Sequence, residues 1–106
     1  MTTNHLQVFI SAETKEQADK ILDSLLTKKL VSGGLITNGP SRFWWKGEII
    51  ETNYYNISSF TTEEHKQGII DDVKKISVEE VPMVWFINID GNKEFLNWIE
   101  TSVGKL

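Results

Sequence analysis

Leu6, Val8 and Ile10 alternate with Gln7, Phe9 and Ser11, a period of two that predicts a short central strand. Thr14 followed by Gln17 reads as a capping box, in which hydroxyl and amide satisfy two unpaired backbone N–H groups at a helix start. Ala18, Ile21, Leu22, Leu25 and Leu26 then recur at helical spacing, which gives one apolar stripe on a helix ending near Leu30, with Gly33-Gly34 as its exit. Leu35-Ile36 opens a strand that Asn38-Gly39-Pro40 should interrupt with a bulge or loop. Beyond it the chain reads Phe43-Trp44-Trp45-Lys46-Gly47-Glu48. Three aromatics enter a tight Lys-Gly turn, and Ile49, Ile50, Tyr54, Tyr55, Ile57 and Phe60 follow on the return arm. A second capping box, Thr61 with Glu64, predicts a helix whose stripe is Ile69, Ile70, Val73 and Ile76. Pro82 blocks its continuation, and the nearly unbroken apolar run from Met83 to Ile89 reads as a strand buried on both sides. Asp90-Gly91-Asn92 makes a turn, with Asn92 as N-cap of a last helix that turns Phe95, Leu96 and Ile99 inward, Trp98 beside them.

The order β-α-β-β-α-β-α predicts an α+β fold: a ferredoxin-like βαββαβ sandwich with a long central hairpin and a C-terminal helix. Its hairpin arms, from Leu35 to the turn and from Glu48 to about Phe60, should span roughly 35–40 Å at about 3.3 Å per residue. A compact chain of this length is only roughly 33 Å across, from a radius of gyration of about 13 Å. The hairpin should therefore overhang its own body, and Phe43, Trp44, Trp45, Tyr54 and Tyr55 are expected to form a subunit interface. The opposing expectation is a bend at Gly39-Pro40 that turns the tryptophans into the core. Helices on one sheet face leave the other uncovered, and burying it against further copies of the chain makes a symmetric homo-oligomer.

The chain has 106 residues, which fits one domain, 1-106, large enough for a modest core without staples. It has no run near 18 apolar residues and no basic-then-apolar leader, so a soluble, cytoplasmic protein away from membranes is expected. The absence of cysteine removes disulfides and thiolate metal sites. A net charge of −4 argues against nucleic-acid binding, and Arg42 as the single arginine argues against paired-guanidinium recognition of phosphate. Tyrosine and tryptophan on a sheet of this topology suggest base stacking, but the basic-Gly-aromatic signature of RNA readers breaks at Lys46-Gly47-Glu48. Paired carboxylates at catalytic separation, a nucleophile beside a base or a phosphate loop would mark an enzyme; none is visible, and a non-enzymatic protein is expected.

Soft and borderline metals need thiolate, thioether or imidazole ligands in a set geometry. The chain offers His5, in a frayed N-terminus, and His65, on the exposed start of a helix; both read as solvated. An intersubunit site combining copies of His65 with carboxylates is the remaining route to Cu²⁺ or another divalent cation, with Glu48, Glu51 and Asp90 as oxygen donors. Glu79 and Glu80 point to opposite faces if extended and read as solvated loop charges. No cofactor is required by anything in the sequence.

The chain resembles the CutA proteins, the divalent-cation tolerance family, over nearly its whole length. The resemblance rests on Leu26-Thr27-Lys28-Lys29-Leu30-Val31-Ser32, on Ser41 with Phe43-Trp44-Trp45-Lys46-Gly47-Glu48-Ile49, on Thr61-Thr62, on Glu80-Val81-Pro82, and on Gly91-Asn92-Lys93-Glu94-Phe95-Leu96-Asn97-Trp98-Ile99. It implies a tight homotrimer, an architectural relation to the PII signalling proteins, and a role in tolerance of copper or other divalent cations. Several positions depart from the family pattern. Ser32-Gly33-Gly34-Leu35 stands where Ala-Cys-Val-Asn is common, so Gly33 replaces the cysteine implicated in copper chemistry. The acidic run of the return strand is reduced to Glu48 and Glu51. Ser77-Val78-Glu79 replaces His-Pro-Tyr, Met83 replaces an acid, and Asp90 stands where some members carry histidine. A metal-tolerance trimer with a weakened or lost copper site is the resulting expectation. The alternative is a PII-like sensor or partner-binding module using clefts between subunits, lined by Lys29, Arg42 and Asn56.

Overall fold

Leu6, Val8 and Ile10 are 0–1% exposed and line one face of strand β1 (His5–Ala12), as their spacing requires. The computed structural model describes residues 3–105. After β1 come α1 (Lys15–Thr27), β2 (Gly34–Trp45), β3 (Glu48–Thr62), α2 (Lys66–Ile76), β4 (Val84–Ile89) and α3 (Lys93–Ser102). The four strands form one antiparallel sheet in the order β2-β3-β1-β4. Ala18, Ile21 and Leu25 of α1 and Ile69 and Val73 of α2 close over Val8, Ile10 and Ile57, so both helices cover the same sheet face. Helix α3 lies on the other face at one end: the Phe95 ring meets Phe60 edge-on at 5.0 Å, and Phe60 stands opposite Gln7, in the row that also holds Phe9.

Helix α1 opens with half of the expected capping box. Thr14 Oγ1 accepts from the Gln17 amide N–H at 3.1 Å, while the Gln17 side chain accepts from Val78 N–H instead of turning back. The helix stops at Thr27, short of Leu30. Leu30 N–H reaches the Leu25 carbonyl and Lys29 N–H the Leu26 carbonyl, with Lys29 at φ 56°, a Schellman ending with lysine where glycine is usual. Leu26 is 39% exposed, at the margin of the stripe instead of in the core. A Cβ at Gly34 would lie 2.7 Å from a Leu22 methyl, so any larger residue there would have to push the end of that side chain aside.

Three further expectations are corrected, and that for Asn92 holds in position alone. Pro40 makes no bulge: β2 pairs with β3 in unbroken register from Gly34↔Ser59 to Trp45↔Glu48. β2 is an edge strand, where a missing N–H on the outer side costs no ladder bond. Thr61 does not cap a helix. It pairs with Leu6 inside β3, its hydroxyl donates to the Leu30 carbonyl at 2.7 Å, and a 3₁₀ turn at Glu63–His65 precedes α2. Asn92 occupies the N-cap position of α3 without a side-chain cap bond. Strand β4 is an edge strand with one open face, leaving Met83, Trp85 and Ile87 at 52%, 51% and 42% exposed.

The overhang is present. The last β1–β3 pair is Ala12↔Tyr55, so residues 39–45 and 48–54 pair only with each other. Seven residues on each arm project roughly 23 Å at about 3.3 Å per residue, and the molecule measures 46 × 25 × 21 Å. Lys46 at φ 48° and Gly47 at φ 83° make the two-residue turn at its tip.

Candidate functional site

Cross-strand partners share a face, so the register sorts the ribbon's side chains into two rows. Phe43, Trp45, Ile50 and Tyr54 continue the open face of the sheet, and Phe43 meets Tyr54 edge-on at 5.6 Å. Trp44 and Ile49 stand opposite each other on the other side, 72% and 58% exposed. On the sheet itself, Phe9 stacks on Trp85 at 4.2 Å, with Ile87 beside them and Leu35 across β3 at 65% exposure. The sheet's open face and both sides of the ribbon's tip thus expose apolar side chains in a single subunit. Of the predicted interface residues, Phe43 and Tyr54 are half-buried, and Trp44 and Trp45 exposed. Tyr55 packs against its own subunit's core.

The candidate metal ligands lie at opposite ends. Glu48 and Glu51 are on the ribbon, where Glu51 pairs with its cross-strand neighbour Arg42 at 2.5 Å. Both partners are mostly in water, so this pair adds little stability. Asp90 follows the Ile89↔His5 pair at the far end and accepts from Gly91 N–H. His65 is at that far end too, and it is not solvated. It is 2% exposed, covered by the segment after α3, and its Nε2–H donates to the Gly104 carbonyl at 2.5 Å while Nδ1 is buried without a partner. His5 belongs to β1 and bonds Glu100 at 2.8 Å. Among the described residues no three His, Cys, Asp or Glu converge as a metal site would require.

The cleft candidates are equally dispersed within one chain. Lys29 sits near Gly104, whose N–H it accepts at 2.8 Å, whereas Arg42 is on the ribbon and Asn56 lies opposite Ser11. Lys29 and Arg42 could line one cleft only if different subunits supply them. At the base of the ribbon is an open cavity of about 240 Å³ that includes Tyr54, Tyr55, Asn56, Asn38 and Met83. Behind it Ser11, 3% exposed, donates to Glu79 at 2.9 Å and accepts from Met83 N–H. Burial pushes the Glu79 carboxyl above its ordinary range; the Ser11 bond opposes this and nearby Glu13 adds to it. Glu79 is therefore an anchored group and not a solvated loop charge. Its partner lies sixty-eight residues away, and no local pattern signals such a contact.

Residues 6–102 match the family model described as CutA1 divalent ion tolerance protein. The chain is 34% identical over 100 residues to the divalent-cation tolerance protein CutA of Archaeoglobus fulgidus, covering 93% of this chain and 98% of that one. It is 28% identical to the protein of the same name from Thermotoga maritima, over 91% and 96% of the two chains. The solved structure of the periplasmic divalent cation tolerance protein CutA from Archaeoglobus fulgidus matches with a TM-score of 0.90 over 94% of this chain and 99% of that one. CutA1 from Oryza sativa matches with a TM-score of 0.93 over 99% and 98% of the chains; at 23% identity this is a likeness of fold.

Proposed function

The chain belongs to the CutA1 divalent ion tolerance family, and from that premise we propose that it acts as a non-enzymatic homotrimer in the response to, or tolerance of, divalent metal ions, without a high-affinity copper site. One observation carries the assembly: the open sheet face and both sides of the ribbon expose apolar side chains, from Leu35 and Trp85 to Trp44 and Ile49. Exposed large apolar side chains in this number mark an interface. A ribbon whose tip is apolar on both sides needs contacts on both, which a closed ring of three provides by seating each ribbon between neighbours.

The weakened metal site is supported by chemistry. Gly33 carries no ligand, His65 is committed to Gly104, and Glu48 and Glu51 are far from Asp90. No helix among the described residues is long and apolar enough to cross a membrane; a cytoplasmic location is part of the proposal. Native mass spectrometry with and without Cu²⁺ tests both halves. A trimer without stoichiometric copper is expected, and His65→Ala should leave copper affinity unchanged. A monomer would overturn the assembly, and three tightly held coppers per trimer would overturn the lost site.

A further inference from the structure

Asp90-Gly91-Asn92 is the whole connection between β4, which ends at Ile89, and α3, which begins at Lys93. All three residues are exposed and belong to neither element. The Gly91 N–H donates to Oδ1 of the residue before it, Asp90, at 2.8 Å, and to no backbone carbonyl among the described residues. That bond holds the Asp90 carboxyl against the one backbone nitrogen able to attack it. Gly91 N and the carbonyl carbon, Cα, Cβ and Cγ of Asp90 are the five atoms of a succinimide ring, and only the N–Cγ bond is missing. Reacting groups already in near contact need little further ordering, and glycine has no Cβ to hinder the approach or restrict the backbone.

The other four aspartates lack this arrangement. Asp19 and Asp23 lie within α1, and Asp71 and Asp72 within α2, where the amide after each is committed to the carbonyl four residues back. Asn38-Gly39 carries the more reactive side chain, but it is held in β2. Pro40 has no N–H and turns that side outward, so Gly39 turns its own N–H inward, towards Tyr54 across the ladder.

We infer that Asp90-Gly91 is a modification site, at which the chain rearranges to isoaspartate. Gly91 N attacks Cγ of the carboxylic acid: the N–Cγ bond forms, the carboxyl hydroxyl leaves with the amide proton as water, and a succinimide results. Water then opens the ring in one of two ways. Addition at Cγ restores aspartate, whereas addition at the main-chain carbonyl carbon breaks its bond to Gly91 N, routes the chain through Cβ and Cγ, and frees an α-carboxylate. Water is the only co-reactant. The product has one extra backbone atom in a connection of three residues, so α3 must shift against the body it packs on, where Phe95 meets Phe60 and Glu100 meets His5. The site does not rest on the proposed assembly or on metal binding.

Incubating the full chain for several weeks in heavy-oxygen water at mildly acid pH, then digesting it with trypsin in ordinary water, tests this. The peptide 76–93 contains Asp90 and no other aspartate. Its label should exceed that at any helical aspartate by at least about tenfold, the factor that a local opening of about 1.4 kcal/mol imposes on a committed amide. Methyl transfer to isoaspartyl carboxylates, by a methyltransferase specific for them, should mark the same peptide. Asp90→Glu, which needs a larger ring, should remove both signals without lowering the thermal midpoint. The isomerised form, separated by chromatography, should exchange the Leu96 and Ile99 amides faster than the parent. Label in 76–93 no greater than at the helical aspartates, or equal label in Asp90→Glu, would overturn the site; unchanged exchange in α3 would overturn its coupling to the helix.

Discussion

Replacing Trp44 by alanine separates the stability of a subunit from that of its assembly. Trp44 is 72% exposed, so little packing is lost within one chain, and the subunit should change by no more than about 0.5 kcal/mol, as at ordinary surface positions. A tryptophan side chain buries up to about 250 Å². Full coverage of the exposed 72% at about 25 cal/mol per Å² would be worth at most about 4.5 kcal/mol. Incomplete burial and side-chain ordering bring this towards the roughly 2 kcal/mol of a typical hot spot. In the proposed trimer the loss occurs three times, about 6 kcal/mol, which changes the trimer constant by about 10⁴. The half-dissociation concentration follows the square root of that constant and should rise about a hundredfold. Sedimentation velocity over a dilution series, with enough urea to bring dissociation into range, reads this directly. Trp45, 36% exposed with the Lys46 ammonium 5.5 Å from its ring centre, should show about half the effect per subunit. Identical dissociation curves for wild type and Trp44→Ala would refute the placement of this face between subunits.

Lys29→Gly should raise the unfolding free energy by about 1 kcal/mol, because the Schellman ending of α1 holds a Cβ-bearing residue at φ 56°; a lower urea midpoint would count against that. Asp72 is 4% exposed and joins α2 to α1 through Ser24 and Lys28. Lys28 keeps half its side chain in water, so Asp72→Ala strands no buried charge and should cost about 2 kcal/mol in chemical denaturation, and an unchanged midpoint would show that the link is idle. Glu79 holds its proton more tightly in the folded chain than in the unfolded one, so the stability of the neutral form is full below the ordinary value of 4.5 and is lost as pH rises through the higher folded value. Glu79→Gln keeps an acceptor for Ser11 and should remove that decline, making the variant the more stable at neutral pH; urea midpoints with the same downward slope in both proteins would contradict this.

The periodic segments were legible because each has one buried face against its own subunit. Leu6, Val8 and Ile10 reach the core, as do Ala18, Ile21 and Leu25, and the Trp-Lys-Gly run marks a ribbon longer than the body it leaves. Thr61-Glu64 misled because threonine suits both an N-cap and a strand, and pairing with β1 extended β3 through it. Pro40 misled because a run of turn residues does not say that its strand lies on an edge. The apolar run to Ile89 indicated burial on both sides, but one subunit covers only one of them. His65 and Glu79 were misread as solvated because the groups that enclose them, Gly104 and Ser11, are remote in sequence. Candidate-site residues were readable as residue types; their dispersal over 46 Å was not.

Among the described residues the ribbon beyond Ala12↔Tyr55 has no third strand, and an isolated two-stranded hairpin is at best marginally stable in water. In the proposed trimer its ordering is therefore a second-order event, dependent on how often chains meet. At the low concentrations of early synthesis a chain can complete its helix-covered core while residues 39–54 still exchange their amide hydrogens freely. Protection at the tip would then arrive late and faster with increasing protein concentration, so that exchange at Trp44 and Ile49 becomes a clock for assembly while exchange at Ile10 and Ile57 times the folding of one chain.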